Sequence, residues 1–205
     1  MKVISTKNNK AQIVKQLTEN FIEDPLYRFI LEPYQKKEAA LNVFFGAYLN
    51  YMAPESQFIA DETENFLGVL WISEWQGNGI LKKRSLFKFL FQMAKLIDLI
   101  GIRGYVRFLK TIHIMSSSWI DEVLEEPYIH LDLAVTNLEC RGKGLFSQYL
   151  KYVEDNYKAY GQVLTLETQS LKNMEIYSHL GFDLVRKIPL PGTALVQYCM
   201  IKRLN

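Results

Sequence analysis

The stretch Leu131-Asp132-Leu133-Ala134-Val135-Thr136-Asn137-Leu138-Glu139-Cys140-Arg141-Gly142-Lys143-Gly144-Leu145-Phe146-Ser147 decides how this chain is read. Its first five residues have the pattern of an apolar strand. The loop that follows ends on two glycines and two cations, Arg141, Gly142, Lys143 and Gly144. An amphipathic helix starts at once, with Leu145, Phe146, Tyr149, Leu150, Val153 and Tyr157 at helical period. A strand feeding a glycine loop and then a helix N-terminus makes an anion site. Free backbone N–H groups and the positive end of the helix converge there, and glycine lets a phosphate come close. The pattern is not a Walker A loop, because the Gly-x-x-x-x-Gly-Lys-Ser/Thr spacing is missing. It also lacks the third glycine of a dinucleotide fingerprint.

A second segment adds specificity. Leu164-Thr165-Leu166-Glu167-Thr168 reads as a buried strand, and Asn173-Met174-Glu175-Ile176-Tyr177-Ser178-His179-Leu180-Gly181-Phe182 follows it. Taken together, the two segments resemble the GNAT superfamily of acyl-coenzyme A N-acyltransferases. Members of that superfamily carry a Gln/Arg-x-x-Gly-x-Gly/Ala loop and a later Asn-x-x-x-Tyr-x-x-x-Gly-Phe pattern. Arg141, Gly144 and the whole second pattern match. The spacing from Glu167 to Asn173, with a final strand ending Tyr198-Cys199-Met200, is most similar to the puromycin N-acetyltransferase-type branch. Two departures stand out. Phe146 occupies the last loop position, which implies a shifted helix or a ring turned into the core. The loop between Val135 and Arg141 is one residue longer than in that branch, so the register of the preceding strand is open by one, enough to exchange its faces.

The resemblance implies an α/β (α+β) fold: a GNAT-like twisted, mixed and mostly antiparallel sheet with helices on both faces, splayed between its two central strands. Residues 1–205 would form one such domain, with a helical insertion at 80–127 before the central strand. The implied activity is direct transfer of an acetyl group from acetyl-CoA to a primary amine of a small molecule, a metabolite or antibiotic-like compound, without a metal. The alternative is a non-catalytic acyl-CoA-binding sensor or scaffold, which Phe146 favours. By the same resemblance, the backbone of Leu133, Ala134 and Val135 would hold the pantetheine arm and polarise the thioester. Arg141, Gly142, Lys143 and Gly144, with Leu145 and Phe146 opening the helix, would hold the pyrophosphate.

Asn173 would bond the pantetheine or thioester region; its plainer reading is an N-cap or first-turn residue. Tyr177 is the expected general acid, since a phenol of pKa about 10 can protonate a thiolate. Alone it would read as a packed aromatic; its spacing from Asn173 and Gly181-Phe182 favours the acid. Gly181 fits a helix C′ position with positive φ. Glu167, at the end of a buried strand, is the candidate general base beside a water relay. His130, Asp132 and Glu74 are the other options. By strict alternation His130 and Asp132 share a face opposite Ile129, Leu131 and Leu133. Counting back from Val135 would place the family's bases on the face of Ile129.

Composition narrows the rest. With 205 residues, 49% hydrophobic and 13% aromatic, the chain suits a packed globular protein. A net charge of +2 gives no electrostatic case for nucleic acid. Cys140 and Cys199 are too few for a disulfide scaffold or zinc cluster and suit a reducing cytoplasm. His113, His130 and His179 show no metal-ligand spacing. The N-terminus lacks an apolar leader pattern, and no apolar run reaches the length of a membrane span.

Along the chain, the pattern predicts a strand over Val3 to Thr6 and a helix through Ala11, Val14, Leu17 and Phe21 that stops before Pro25. Phe21 to Tyr27 resembles the acceptor-side turn of bacterial GNAT proteins. Leu41, Phe44, Phe45, Tyr48 and Met52 stripe a second helix, and Ser56 to Ala60 with Phe66 to Ser73 predict a hairpin. In the insertion, Ser85 caps a helix running to Ile100, which Gly101 and Gly104 break before another through Val106 and Met115. This segment would enclose the acceptor, pack on the sheet, or pair two subunits in a homodimer. Its cations, including Lys82, Lys83, Arg84, Lys88 and Lys95, also allow it to lie on an anionic membrane, without inserting stably. Strands at Asp183 to Arg186 and Ala194 to Ile201 complete the pattern.

Overall fold

The computed structural model describes residues 1–54, 56–63, 66–72, 86–136 and 142–204. Seven strands form one sheet: β1 (Lys2–Ile4), β2 (Ser56–Ala60), β3 (Phe66–Ile72), β4 (Tyr128–Ala134), β5 (Val163–Thr168), β6 (Asp183–Pro189) and β7 (Val196–Arg203). Their order is β1-β2-β3-β4-β5-β7-β6, and every pair is antiparallel except β4 with β5. This is the mixed, mostly antiparallel sheet that the two motifs imply.

The parallel pair is short. Tyr128, Ile129 and His130 face Val163, Leu164 and Thr165, and there the pairing stops. Beyond His130 the two central strands part, leaving the β5-side edge of β4 open. On the other edge β4 stays paired with β3 as far as Ala134. The sheet therefore splays at its centre.

Helices cover both faces. On one lie α1 (Thr6–Phe21), α2 (Pro25–Leu31), α3 (Lys37–Met52), α4 (Leu86–Met93) and α5 (Ile97–Ile114). They enclose a core containing Leu17, Ile30, Phe44, Phe45, Phe108, Val69 and Leu133. On the other lie α7 (Leu145–Tyr157) and α8 (Leu171–His179), over Leu70, Ile129, Leu131, Leu164, Leu166 and Met200. A short α6 (Ile120–Val123) precedes β4 and packs at its start through Ile120 and Trp119.

Strict alternation fails within β4. Val69 of β3 faces Leu133 and Leu70 faces Leu131, so Asp132 is an extra residue, a β-bulge. The bulge turns the strand over. Ile129 and Leu131 pack toward α7 and α8, whereas Leu133 and Val135 pack toward α1, α3 and α5. Leu133 thus leaves the face that counting assigned to it. His130 and Asp132 remain together on the α3 side, which is the face reached from Val135 once the bulge is included.

Two other expectations change. The first strand is Lys2–Ile4, and Thr6 already belongs to α1. The insertion helix ends at Met93, passes through one 3₁₀ turn and resumes as α5, which continues through both glycines. Gly101 only kinks it, with φ 69° and ψ 168°. Gly104 is there for close approach: a Cβ would sit 2.5 Å from the Tyr34 hydroxyl. Ser85, Glu74 and the cations Lys82, Lys83 and Arg84 lie outside the described residues.

Candidate active site

A cleft of about 240 Å³ opens where β4 and β5 part. Its walls come from five separate stretches of chain. The turn into α2 supplies Asp24 and Tyr27, α3 supplies Phe44 and Tyr48, and β4 supplies Leu131 to Ala134. The end of α5 and the turn after it bring Ile112, Met115, Ser116 and Ser117. Leu166 to Gln169 and, from α8, Asn173 and Tyr177 close the far side. Three carboxylates, Asp24, Asp132 and Glu167, line this space, and no lysine or arginine does among the described residues.

Local chemistry explains each placement. Asp24 is the N-cap of α2, accepting from the Leu26 N–H at 2.9 Å, with Pro25 at the first helical position. That cap turns its carboxyl inward, and burial pushes its pKa from 3.8 up to about 6 against the lowering effect of its backbone donors. Tyr48, half-buried on α3, donates to Asp132 Oδ1 at 2.7 Å. Burial, reinforced by the Asp132 charge, keeps this phenol protonated well beyond its usual range.

Glu167 sits in a different setting. Ser117 Oγ donates to its Oε1, and Trp119 Nε1 donates to its Oε2 at 3.2 Å. His130 Nε2 stands 3.6 Å from Oε1. Burial alone would raise the Glu167 pKa, but His130, Ser117 and Trp119 outweigh it and hold the carboxyl below its ordinary value. His130 is itself enclosed, its Nδ1 2.9 Å from Thr165 Oγ1 and its Nε2 3.1 Å from Ser117 Oγ. Ser117, His130 and Glu167 form one hydrogen-bonded cluster at the floor of the cleft.

Tyr177 faces the same space from α8. Burial and the charge of Asp24 push its phenol up to about 12, so at neutral pH it is a proton donor only. Its ring rests on Phe146 at 5.3 Å and on Phe182 at 6.1 Å between centroids. Phe146 also meets Tyr149 at 6.0 Å. Of the two possibilities for Phe146, the ring is therefore turned into the core. Asn173 occupies the first turn of α8, with its N–H bonded to the N-cap Ser170, and its side chain lines the cleft. Gly181 has the expected positive φ, 88°.

The glycine loop is present from Gly142 onward; Arg141 and Cys140 lie outside the described residues. Gly142 and Gly144 have φ of 76° and 74°, and open space surrounds the position of a Cβ at each. Glycine is needed here for backbone conformation: Gly144 is the left-handed N-cap of α7, and no side chain caps that helix start. An exposed helix start preceded by two left-handed glycines fits an anion such as a pyrophosphate.

On β4 the open edge is narrower than expected. Val135 N–H donates to Leu67 O at 2.9 Å, and Leu133 pairs with Val69 of β3. Both residues are thus turned toward β3. By strand alternation, Ala134 between them directs its N–H and C=O to the unpaired side. Of the three residues expected to hold the pantetheine arm, Ala134 alone directs its backbone groups away from β3.

No family model matches the sequence, and no curated protein does. Solved structures match over the whole length. An acetyltransferase from Corynebacterium glutamicum, described as histone acetyltransferase HPA2 and related acetyltransferase, is 19% identical. The alignment covers 99% of this chain and 96% of that one, with a TM-score of 0.60. Arylalkylamine N-acetyltransferase 2 from Aedes aegypti is 14% identical over 100% and 98% of the two chains, with a TM-score of 0.54. The C-terminal condensation domain of Ebony, solved with β-alanyl-dopamine, is 8% identical over 99% and 97%, at 0.57. The chain has the GNAT fold.

Within that fold, several residues in the cleft or buried behind it were not singled out from the sequence. Asp24 carried a signal, an N-cap aspartate immediately before Pro25 at the start of a helix. Tyr48 gave none beyond its place in an apolar helical stripe. Ser117 and Trp119 gave none at all, since only the chain's return toward β5 brings them to Glu167.

Proposed function

We propose that this chain is an acetyl-CoA-dependent N-acetyltransferase whose acceptor is the primary amine of a compact, cationic small molecule. One observation carries the reading: Tyr177 and three carboxylates share one cleft at the point where the central strands part. An anionic cleft of this size with aromatic walls attracts an ammonium group and excludes carboxylate-rich or bulky acceptors. The GNAT fold supports acetyl transfer, and one of the similar structures is an arylalkylamine N-acetyltransferase. Placement in the puromycin-type branch rests only on the spacing from Glu167 to Asn173 and on the final strand ending Tyr198-Cys199-Met200. A cytoplasmic location belongs to the same reading and rests on the cysteine usage.

When bound, acetyl-CoA supplies the thioester carbonyl and the thiolate leaving group. Gly142, Lys143, Gly144 and the start of α7 would hold its pyrophosphate, the Ala134 N–H would serve its acyl end, and Asn173 would orient the region between. Tyr177 then donates its phenolic proton to the leaving sulfur. The incoming ammonium must first lose a proton. Glu167, the base suggested by sequence, is held below the normal carboxylate pKa and already accepts two hydrogen bonds. Asp24, at about 6, is closer in pKa to an ammonium group than Glu167 is, and each pKa unit gained lowers the cost of transfer by about 1.4 kcal/mol. We therefore assign Asp24 as the base, with Glu167 and Asp132 holding the cation.

The sensor alternative rested on Phe146 blocking the loop, but its ring lies against Tyr177 and Tyr149 in the core. Titration calorimetry with acetyl-CoA, followed by a thiol-release screen across mono- and diamines, tests the proposal. Amine-dependent release is expected. Binding without release for every amine would favour the sensor, and no binding would remove both readings.

A further inference from the structure

Helix α4 is anchored on one side only. Phe89 packs on Tyr48 and Tyr51, Gln92 accepts from Asn50, and Met93 is buried. The opposite side carries Phe87 at 81% exposure and Phe91 at 74%, one turn apart, with Leu86 and Leu90 exposed beside them. Two phenylalanines and two leucines on one short helix make a patch on the order of 400 Å², the size at which apolar surface on a monomer usually has a partner.

Charge points to what that partner is. Residues 86–115 hold Lys88, Lys95, Arg103, Arg107 and Lys110 against Asp98 alone, a net +4. The whole chain is +2, so the rest of the molecule is net −2. Arg107 is turned inward to the Phe29 carbonyl and ring. Lys88, Lys95, Arg103 and Lys110 are exposed, and Lys95 continues the Phe87–Phe91 stripe by one further turn. Pairing with a second copy about a two-fold axis would set +4 against +4. An anionic surface meets both the aromatic stripe and the cations, and it repels the net-negative remainder of the protein. No described helix is long and apolar enough to cross a membrane.

We infer that α4 docks this protein peripherally on an anionic lipid surface. Phe87 and Phe91 enter the headgroup boundary while Lys88 and Lys95 meet lipid charge. The test is flotation of the full chain with vesicles of phosphatidylcholine alone or mixed with phosphatidylserine. Binding is expected to the mixed vesicles only, and to weaken with added salt. Phe87→Ser with Phe91→Ser, and separately Lys88→Glu with Lys95→Glu, should each lower partitioning at least tenfold while the melting temperature stays near that of the parent. The charge pair provides a second arm should the serine variant fold poorly. The inference is overturned if the parent ignores mixed vesicles or binds both kinds alike, or if the charge pair leaves partitioning unchanged. It is also overturned if light scattering shows a dimer that the serine pair dissolves, because the patch would then meet a second copy.

Discussion

The Tyr48 hydroxyl donates to Asp132 Oδ1 at 2.7 Å, joining α3 to the bulge of β4 across 84 residues of sequence. Asp132 is the extra residue of the bulge, so this bond fixes the point at which the strand changes face. Tyr48→Phe keeps the ring in its apolar stripe and withdraws one donor from a buried carboxylate. A loss of about 1–3 kcal/mol in urea unfolding is expected. A change below about 0.5 kcal/mol would mean that the bulge holds without this bond.

Tyr177→Phe separates chemistry from packing, because the contacts with Phe146 and Phe182 are made by the ring. A hundredfold or larger fall in kcat is expected, with acetyl-CoA Kd little changed. The loss should shrink with a thioester whose leaving thiol is more acidic. Full kcat where chemistry limits the rate would make Tyr177 a core residue.

Asp24→Asn distinguishes the two roles of that residue. Asparagine caps a helix as well as aspartate, so the bond to Leu26 survives. Its pKa is raised from 3.8 to about 6 in the folded protein, which makes the ionised form a burden on the fold. Wild type should therefore gain stability as pH falls from above 6 toward 4, and the variant should lack that gain. Well above pH 6 the variant should be more stable by up to about 3 kcal/mol. Its activity should drop sharply, and wild-type kcat/KM should fall as pH decreases through about 6. A stabilised variant with normal activity would remove Asp24 as the base.

Gly144→Val forces a β-branched residue into φ 74° at the cap of α7. Nothing blocks the new side chain, so its effect is on backbone conformation and on the direction of the helix N–H groups. Acetyl-CoA affinity should fall at least tenfold by calorimetry, about 1.4 kcal/mol. Unchanged affinity would place the pyrophosphate elsewhere.

Gly68→Ala probes the β3–β4 contact beneath the bulge. A Cβ there would lie 2.5 Å from Leu133 O and 2.6 Å from the Tyr149 hydroxyl. The backbone carbonyl cannot yield as a flexible side chain does, so about 1–3 kcal/mol of destabilisation is expected in thermal or urea unfolding. A neutral result would show that β3 and β4 can separate locally.

The sequence alone determined the features governed by neighbours along the chain. The α7 stripe, the positive φ of Gly181, the first-turn place of Asn173 in α8 and the strands around them follow from periodicity and φ preference, which act over a few residues. Tyr177 was legible because its spacing from Asn173 and Gly181 is itself local. Only the tertiary structure decided which face of β4 meets the cleft. The bulge at Asp132 is a mismatch between two strands, and neither strand's pattern contains it. Nor could sequence join Tyr48 to Asp132 or Ser117 to Glu167, pairs 84 and 50 residues apart. Hydrogen bonds between distant side chains form only after the sheet has set the register that brings them together, so the local pattern around Tyr177 was readable one helix at a time, whereas the partners that hold Asp132 and Glu167 were not.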